Sequence, residues 1–259
     1  MTQLGDAMNN KIAIITGGSR GLGKSTAINL AGKGVNCIIT YLSKRAEAER
    51  VVAEIQQTGQ AGVALQLDTG DIKSFKDFSN RVKTEIEQNW QRDSFDFLVN
   101  NAGIGVHALF AETTEAQFDQ LMNIHFKGVF FLTQTLLPIM SDGGRIVNLS
   151  SGLARFTLPG FSAYAAMKGA VEVLTRYMAK ELGSRQITVN VVAPGAIETD
   201  FGGGRVRDDK QLNNFIASQT ALGRVGKPDD IGGMIASFLT GENLWVNGQR
   251  IEASGGMFL

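Results

Sequence analysis

A glycine-rich turn between a short apolar run and a helix-forming run constrains the fold more than any other feature of the sequence. Four apolar residues, Ile12 to Ile15, precede Thr16, and the segment TGGSRGLG then opens the run KSTAINLA. Glycines let the backbone approach a pyrophosphate, and a helix N-terminus adds unpaired N–H groups and a partial positive charge. Because the glycines lie between a strand and a helix, the pattern predicts a dinucleotide-binding unit. The alternative is a turn that merely needs glycine.

The alternation of buried strands and amphipathic helices continues along the chain. Further strands are predicted at residues 36–40, 62–69, 96–105, 144–151 and 187–195, and helices at 46–59, 73–90, 118–140 and 163–182. Repeated units of this length predict an α/β fold, a single-domain Rossmann-type doubly wound parallel sheet with helices on both faces. We expect residues 1–10 to be a loose N-terminal lead and residues 11–259 to form one NAD(P)-binding catalytic domain.

Composition excludes several classes of protein. The 259 residues are 43% hydrophobic, and 25 Lys and Arg balance 25 Asp and Glu, so no net charge favours nucleic acid or an acidic membrane. The single cysteine, Cys37, lies in an apolar run and cannot form an internal disulfide. The first residues lack the features of a signal peptide, and no apolar run is long enough to cross a bilayer. We predict a cytoplasmic protein with a small-molecule substrate and no metal.

Tyr164 and Lys168 carry the strongest chemical signal. They are four residues apart in the helix-forming run AYAAMKGAVEVL, so their side chains share one helix face. A lysine ammonium beside a phenol favours the tyrosinate and brings the tyrosine pKa toward neutrality. Ser151 closes the predicted strand RIVNLSS, where its hydroxyl can donate to a carbonyl oxygen. The alternative is that Tyr164 and Lys168 are ordinary helix surface.

The end of the second strand bears on cofactor preference. NAD-binding folds place an acidic residue here to accept from the ribose 2′-hydroxyl, whereas this chain has Tyr41, then Ser43 and Lys44, with Arg20 in the glycine turn. Donors and positive charge in place of a carboxylate suit a 2′-phosphate, so we predict that NADP(H) is preferred over NAD(H). The alternative is that Lys44 only begins the next helix.

From Lys11 to Gly256 the chain resembles the classical short-chain dehydrogenases/reductases, especially their 3-oxoacyl-carrier-protein reductase-like members. The family's landmarks stand in order: TGGSRGLG from Thr16, NNAG from Asn100, Ser151, Tyr164-x-x-x-Lys168 and PGAIET from Pro194. The resemblance implies an oxidoreductase that transfers a hydride between NADP(H) and a carbonyl or secondary alcohol. The alternative is a cofactor-binding regulatory relative with little or no turnover.

The resemblance also implies a role for each matched residue. Tyr164 would be the general acid in carbonyl reduction and the base in alcohol oxidation, Lys168 would lower its pKa and hold the nicotinamide ribose, and Ser151 would polarise the carbonyl. The positions that would contact the phosphates, adenosine and its ribose are Gly17, Ser19, Arg20, Gly21, Leu22, Gly23, Asp68, Thr69, Asn101, Ala102 and Gly103. Ile197 and Thr199 would meet the nicotinamide carboxamide, and Pro194 and Gly195, which precede them, would also belong to the cofactor site.

His125 departs from the family pattern. The family usually has a catalytic asparagine here, which is thought to hold a water that links the lysine to solvent, whereas this chain has IHFKGVF. An imidazole can donate and accept, so His125 is a candidate for the relay, with its own pH dependence. A tolerated core histidine with a slower or altered relay is the equal alternative.

The helix from Ala163 to Leu182 predicts assembly. It is apolar on most of its circumference, and its polar residues Glu172, Arg176 and Lys180 form only a narrow stripe. The preceding long helix is equally apolar, so one face of each would remain uncovered in a single chain. We expect a homodimer, and the resemblance implies that it is often doubled into a homotetramer.

Overall fold

The computed structural model describes residues 10–259. The predicted N-terminal lead therefore lies outside the described residues, except for Asn10. Seven parallel strands form one sheet in the order β3-β2-β1-β4-β5-β6-β7. The strand order reverses between β1 and β4, and such a switch point opens a crevice at the carboxyl ends of the strands. The predicted Rossmann-type fold is confirmed.

The elements follow the predicted alternation. The strands are β1 (Ile12–Ile15), β2 (Asn36–Tyr41), β3 (Gly62–Gln66), β4 (Phe95–Asn100), β5 (Met140–Leu149), β6 (Thr188–Pro194) and β7 (Arg250–Ala253). The helices are α1 (Gly21–Ala31), α2 (Arg45–Gln57), α3 (Phe75–Trp90), α4 (Glu115–Met122), α5 (Gly128–Leu136), α6 (Ser162–Glu181), α7 (Arg205–Asp208), α8 (Lys210–Ser218) and α9 (Pro228–Thr240). Among these helices, none combines the length and apolar character that a membrane span requires.

Strand β1 shows why the sheet is buried on both sides. Ala13 and Ile15 belong to the core cluster that α1, α2 and α9 cover, whereas Ile12 and Ile14 belong to the cluster on the opposite face. Alternate side chains of a strand point to opposite faces, so a continuous apolar run fits a strand covered by helices on both sides. This packing holds the carboxyl end of β1, and the glycine turn that follows it, in a fixed place.

The long helix predicted over residues 118–140 is not a single regular α-helix. A π-helical segment, Asn123–Lys127, separates α4 from α5, and a 3-10 turn with Pro138 ends the helical run. Proline has no N–H and its ring clashes with the preceding turn, so the helix stops there. Strand β5 consequently begins at Met140 and ends at Leu149, so Ser151 lies beyond the strand rather than at its end.

Candidate active site

The glycine turn forms an anion cradle at the start of α1. Gly17 and Gly21 have φ of +66° and +55°, the left-handed region that favours glycine. A Cβ at Gly23 would lie 2.3 Å from the carbonyl oxygen of Gly17. The N-cap residue Arg20 makes no side-chain cap, and the first turn of α1 has no acidic residue. The helix N-terminus is therefore suited to bind the pyrophosphate of a dinucleotide.

Thr16 joins this cradle to the turn after β4. Its Oγ1 accepts hydrogen bonds from the N–H groups of Asn101 and Ala102, both at 2.9 Å. The side-chain amide of Asn101 (Nδ2) donates in turn to the Thr16 carbonyl oxygen at 2.7 Å. A Cβ at Gly17 would lie 3.0 Å from the Cα of Ala102, so the two turns are in close contact. The structure thus brings together the two loop motifs that the sequence predicted as parts of one cofactor site.

The other predicted cofactor residues also lie along the carboxyl edge of the sheet. Thr199 faces the glycine turn, since its Cγ2 is 3.7 Å from the position of a Cβ on Gly21. Gly128 lets the start of α5 approach the loop after β3. A Cβ added to Gly128 would lie only 2.1 Å from the Thr69 carbonyl oxygen. The remaining predicted positions at this edge are Ser19 and Leu22 in the glycine turn, Asp68 after β3, Pro194 at the end of β6, and Gly195 and Ile197 after it.

At the end of β2, Tyr41 is half-buried, and Ser43 and Lys44 are exposed. Lys44 is the N-cap of α2, as the alternative explanation of this run suggested, and the next residue, Arg45, pairs with Glu49 at 2.7 Å. No carboxylate directly follows β2, and the Glu49 carboxylate, which lines the pocket beside Tyr41, is paired with Arg45.

Arg20 contacts the opposite side of the cofactor groove. Its Nη1 lies 3.7 Å from Oδ2 of Asp200, at the start of the segment after β6. Both side chains are substantially exposed, and such a contact contributes little to stability. Arg20 is therefore readily able to exchange this partner for a phosphate.

Helix α6 and the turn after β5 bring three candidate catalytic residues together. Tyr164 and Lys168 are buried, with 7% and 5% of their surface exposed. The Lys168 ammonium lies 5.6 Å from the centroid of the Tyr164 ring and donates to the Leu149 carbonyl at 2.7 Å. Tyr164 hydrogen-bonds to Ser151, whose Oγ also accepts from the Leu153 N–H at 3.2 Å.

Burial dominates the ionisation of this pair. It raises the pKa of the Tyr164 phenol well above its ordinary value, and the hydrogen bond to Ser151 only partly opposes this. Burial also lowers the pKa of Lys168 to about 7. The net direction for the pKa of Tyr164 is opposite to the sequence-based expectation, because desolvation of the charged form outweighs the hydrogen bond to Ser151.

His125 lies under the same site, on the π-helical segment. Its Nε2 is 2.8 Å from the Ile104 carbonyl oxygen and 3.2 Å from the Ile104 N–H, and its ring meets the Tyr164 ring edge-on at 5.1 Å. Nδ1 has no hydrogen-bond partner among the described residues. Gly103 makes room for the ring, since a Cβ there would lie 2.6 Å from Cε1 of His125.

The protonation state of His125 follows from its surroundings. Burial, and then the charge of Lys168, lower the pKa of His125 to about 3, and the hydrogen bond to Ile104 only partly opposes this. The imidazole is therefore neutral at physiological pH. The relay hypothesis expected His125 to bring its own pH dependence, and the lowered pKa places any such dependence well below neutral pH.

Sequence-based prediction gives Glu172 no role at the site and does not place the Phe201 ring beside Tyr164. Glu172 belongs to the polar stripe of α6, yet its carboxylate contacts Ser150, next to Ser151, at 2.6 Å. The signal that identifies it is its position one helical turn after Lys168. The Phe201 ring lies 5.7 Å from that of Tyr164, and only the three-dimensional path of the chain after β6 brings it there.

Known proteins resemble this chain over nearly its whole length. A family model described as enoyl-(acyl carrier protein) reductase matches residues 17–258. Tetrahydroxynaphthalene reductase PfmaG of Pestalotiopsis fici is 35% identical over 257 residues, which cover 95% of this chain and 91% of that protein. Hydroxynaphthalene reductase-like protein Arp2 of Metarhizium brunneum is 34% identical over 261 residues, with 96% of each chain covered.

Solved structures show the same similarity. The promiscuous reductase LugOII, which catalyses keto-reduction at C1 during lugdunomycin biosynthesis, superposes with a TM-score of 0.92 at 35% identity, covering 97% of this chain and 99% of that chain. The angucycline C-6 ketoreductase LanV with bound NADP superposes with a TM-score of 0.91 at 30% identity, covering 97% of each.

These matches span nearly the whole chain, and the fold and site define a nucleotide-dependent oxidoreductase. The chain belongs to the short-chain dehydrogenase/reductase family. It is an NAD(P)-dependent oxidoreductase that transfers a hydride between the nicotinamide and a carbonyl or alcohol group of a small molecule.

Proposed function

We propose that the chain is an NADP(H)-dependent ketoreductase in which Tyr164 handles the proton, Ser151 orients the carbonyl and Lys168 supplies positive charge. The observation that carries the proposal is the convergence of these three side chains at the carboxyl edge of the sheet, the edge that also carries the glycine turn. Bound NADPH would supply the hydride, and the protein would position it and manage the proton.

The proton step follows from the ionisation of the site. Negative charge grows on the carbonyl oxygen during reduction, and the Tyr164 hydroxyl is placed to donate its proton there. Because burial raises the pKa of Tyr164, the phenol is fully protonated before the reaction. Lys168 and the hydrogen bond from Ser151 then stabilise the tyrosinate that remains. In alcohol oxidation the same tyrosinate accepts the proton.

We propose that His125 assists this step as a neutral group. If its Nε2–H donates to the Ile104 carbonyl, Nδ1 is left as an acceptor. A buried acceptor without a protein partner is suited to hold a water near Lys168. The histidine would then serve the proton relay as a fixed acceptor and would not itself change charge.

The proposed preference for NADP(H) rests on the corner after β2. Ser43 and Lys44 are exposed there, and Tyr41 stands where NAD-binding folds place a carboxylate. Arg20 lies across the groove, where its only ion pair among the described residues is the long, exposed contact with Asp200. Bound NADP in the structure of the relative LanV supports the same preference.

We propose a planar aromatic ketone of polyketide type as the substrate. Around Tyr164 the chain places partly buried apolar residues, among them Ile104, Val106 and Leu153, and the Phe201 ring. Flat apolar ligands suit such a pocket, since aromatic rings gain from offset or edge-on contacts with aromatic side chains. The relatives named for hydroxynaphthalene and angucycline ketones support this class.

The subunits are proposed to form a homodimer, doubled into a homotetramer. Most apolar residues of α5 and α6 are covered within the chain, but Phe130, Val173 and Tyr177 remain 40%, 46% and 65% exposed. These exposed residues, Phe130, Val173 and Tyr177, are fewer than the sequence suggested, and a second copy that packs on α5 and α6 would cover them. The cytoplasmic location stays a prediction, supported by the single buried Cys37.

The test is a carbonyl panel with NADPH and, separately, NADH. The panel combines planar bicyclic aromatic ketones with short aliphatic ketones and β-keto esters, and the absorbance of the reduced nicotinamide reports turnover. The proposal expects oxidation of NADPH with the aromatic ketones, with a higher kcat/KM than for the aliphatic ketones. Cofactor binding without turnover on any member would favour the regulatory alternative.

A further inference from the structure

A chain of ion pairs lies behind the turn that carries Ser151. Arg250 on β7 donates to Glu172 of α6 at 2.7 Å and to Glu252 at 2.8 Å. Arg155, four residues after Ser151, donates to both carboxylate oxygens of Glu252 at 2.8 and 2.7 Å. The side chains of Glu172, Arg250 and Glu252 are only 15%, 23% and 19% exposed. The charges alternate, so each one is compensated although water is largely excluded.

Glu172 extends this chain to the residue before Ser151. Its Oε1 accepts the hydrogen bond from the Ser150 hydroxyl at 2.6 Å. The Ser150 N–H donates to the Val192 carbonyl at 2.7 Å, and the residue is only 4% exposed. Both the backbone and the side chain of Ser150 are therefore fixed.

The neighbours of Ser150 are held by the same elements. Lys168, one turn before Glu172 on α6, donates to the Leu149 carbonyl at 2.7 Å. Arg250 reaches the Ser151 carbonyl at 3.4 Å. Helix α6 thus contacts two successive residues of the strand end, and the position of Ser151 relative to Tyr164 depends on these contacts.

We propose that Glu172 is a positioning residue, which orients the Ser151 hydroxyl through Ser150 and is itself held by Arg250. The inference rests on the proposed function, because it concerns the same proton step. Ser151 must direct its hydroxyl toward both Tyr164 and the substrate carbonyl, and hydrogen bonds weaken steeply as their angle departs from linear. A small rotation of the strand end therefore lowers the reaction rate without changing how the cofactor is bound.

The experiment is a double-mutant cycle of Ser150→Ala and Glu172→Ala, assayed with NADPH and the best ketone of the panel. Each single variant is expected to lower kcat about tenfold, less than the roughly hundredfold that a 1 Å misplacement can cost. The KM for NADPH should stay within about twofold, since the cofactor contacts are untouched. The double variant should be no slower than the singles, because both act through one hydrogen bond.

Two further variants separate positioning from stability. Glu172→Gln keeps an acceptor oxygen for Ser150 and should recover most of the kcat that Glu172→Ala loses. Asp142→Ala removes a carboxylate that pairs with Arg185 at 2.7 Å near the opposite end of β5, and it should leave kcat unchanged. Melting temperatures of all variants show whether the assay temperature lies well below unfolding.

Losses that multiply in the double variant, or a Ser150→Ala enzyme with the kcat of the wild type, would overturn the positioning role. If Glu172→Ala does not fold, Ser150→Ala decides alone, since it removes one hydroxyl and leaves the ion pairs intact. A wild-type enzyme that reduces no ketone refutes the proposed function instead, so the two failures are distinguishable.

Discussion

The buried pair Tyr164 and Lys168 shows how one environment acts in opposite directions on an acid and a base. Desolvation favours the neutral form of each group, so it raises the pKa of the phenol and lowers that of the ammonium. As a result, the pKa of Tyr164 lies above the value it would have in water, and the pKa of Lys168 lies below its value in water. Proton transfer at this site therefore depends on contacts that stabilise the charged forms. The hydrogen bond between Ser151 and Tyr164 is such a contact, because it lowers the pKa of the phenol.

His125 allows a prediction about pH. Its pKa is about 3 in the folded chain and near 6.5 in an unfolded one. Between these values the unfolded state binds the additional proton, so the contribution of His125 to stability is fully present above pH 6.5. It is lost as pH falls toward 3, by at most about 1.4 kcal/mol per pH unit.

The measurement is the free energy of unfolding of the wild type and of His125→Asn between pH 7 and pH 4. The difference between the two proteins should change steadily across this range, with the wild type losing more stability in acid. Parallel curves would show that His125 is not neutral and buried as described.

Tyr41 allows a prediction about the cofactor. Tyr41→Asp should shift the ratio of kcat/KM for NADPH and NADH by about tenfold or more toward NADH, or 1.4 kcal/mol. The reason is that a carboxylate repels a 2′-phosphate and accepts from a 2′-hydroxyl. Tyr41→Phe is the control, because it keeps the ring and adds no charge. An unchanged ratio in Tyr41→Asp would place the 2′-phosphate elsewhere.

At the scale of elements, the segment after β6 packs against Tyr164. Gly202, Gly203 and Gly204 have φ of +61°, +79° and +76°, and the Phe201 ring lies over Tyr164. Three successive residues in the left-handed region form a bend that side chains with a Cβ rarely adopt. The glycine run lets the segment fold back over the site.

Gly203→Ala tests this bend. No atom lies within 4 Å of a Cβ placed on Gly203, so the substitution adds backbone strain of about 1–2 kcal/mol without a steric clash. We expect the ketone KM to rise roughly fivefold to tenfold, with the NADPH KM unchanged. Gly183→Ala, which is equally open but has no positive φ, is the matched control. Equal kinetics for the two variants would exclude a role for the bend.

Element identity was largely predictable from the sequence, whereas the irregular parts of the elements were not. The strand before the glycine turn is a short apolar run next to glycines, and the helix of Tyr164 is a long run of helix-forming residues, so both were readable from the sequence. The π-helical segment Asn123–Lys127 lies inside a pattern that fits a continuous α-helix, and the contact of His125 with Ile104 joins residues 21 positions apart in the sequence. The ion pairs of Glu172 were likewise hidden, because the partner Arg250 is 78 residues away.

At the scale of the whole molecule, the exposed apolar residues of α5 and α6 predict assembly. Val173→Glu adds a charge to the exposed apolar face of α6 and should shift the protein toward a single-chain mass in light scattering at micromolar concentration. Burying an unpaired carboxylate in an apolar contact costs several kcal/mol, more than many interfaces tolerate. Ala53→Glu, on the exposed face of α2, is the control.

Either of two outcomes would contradict the assembly. One is a wild type that is a stable, active monomer. The other is a Val173→Glu protein with the same mass as the wild type, which would show that subunits meet through another surface.

The proton transfer by Tyr164 is the central claim, and the rate of NADPH oxidation by Tyr164→Phe with the best ketone tests it most directly. The substitution removes one oxygen atom and keeps the buried ring. It should lower kcat by at least about a hundredfold, while the dissociation constant for NADPH changes less than about threefold. A Tyr164→Phe enzyme with the cofactor affinity and the kcat of the wild type would contradict the account.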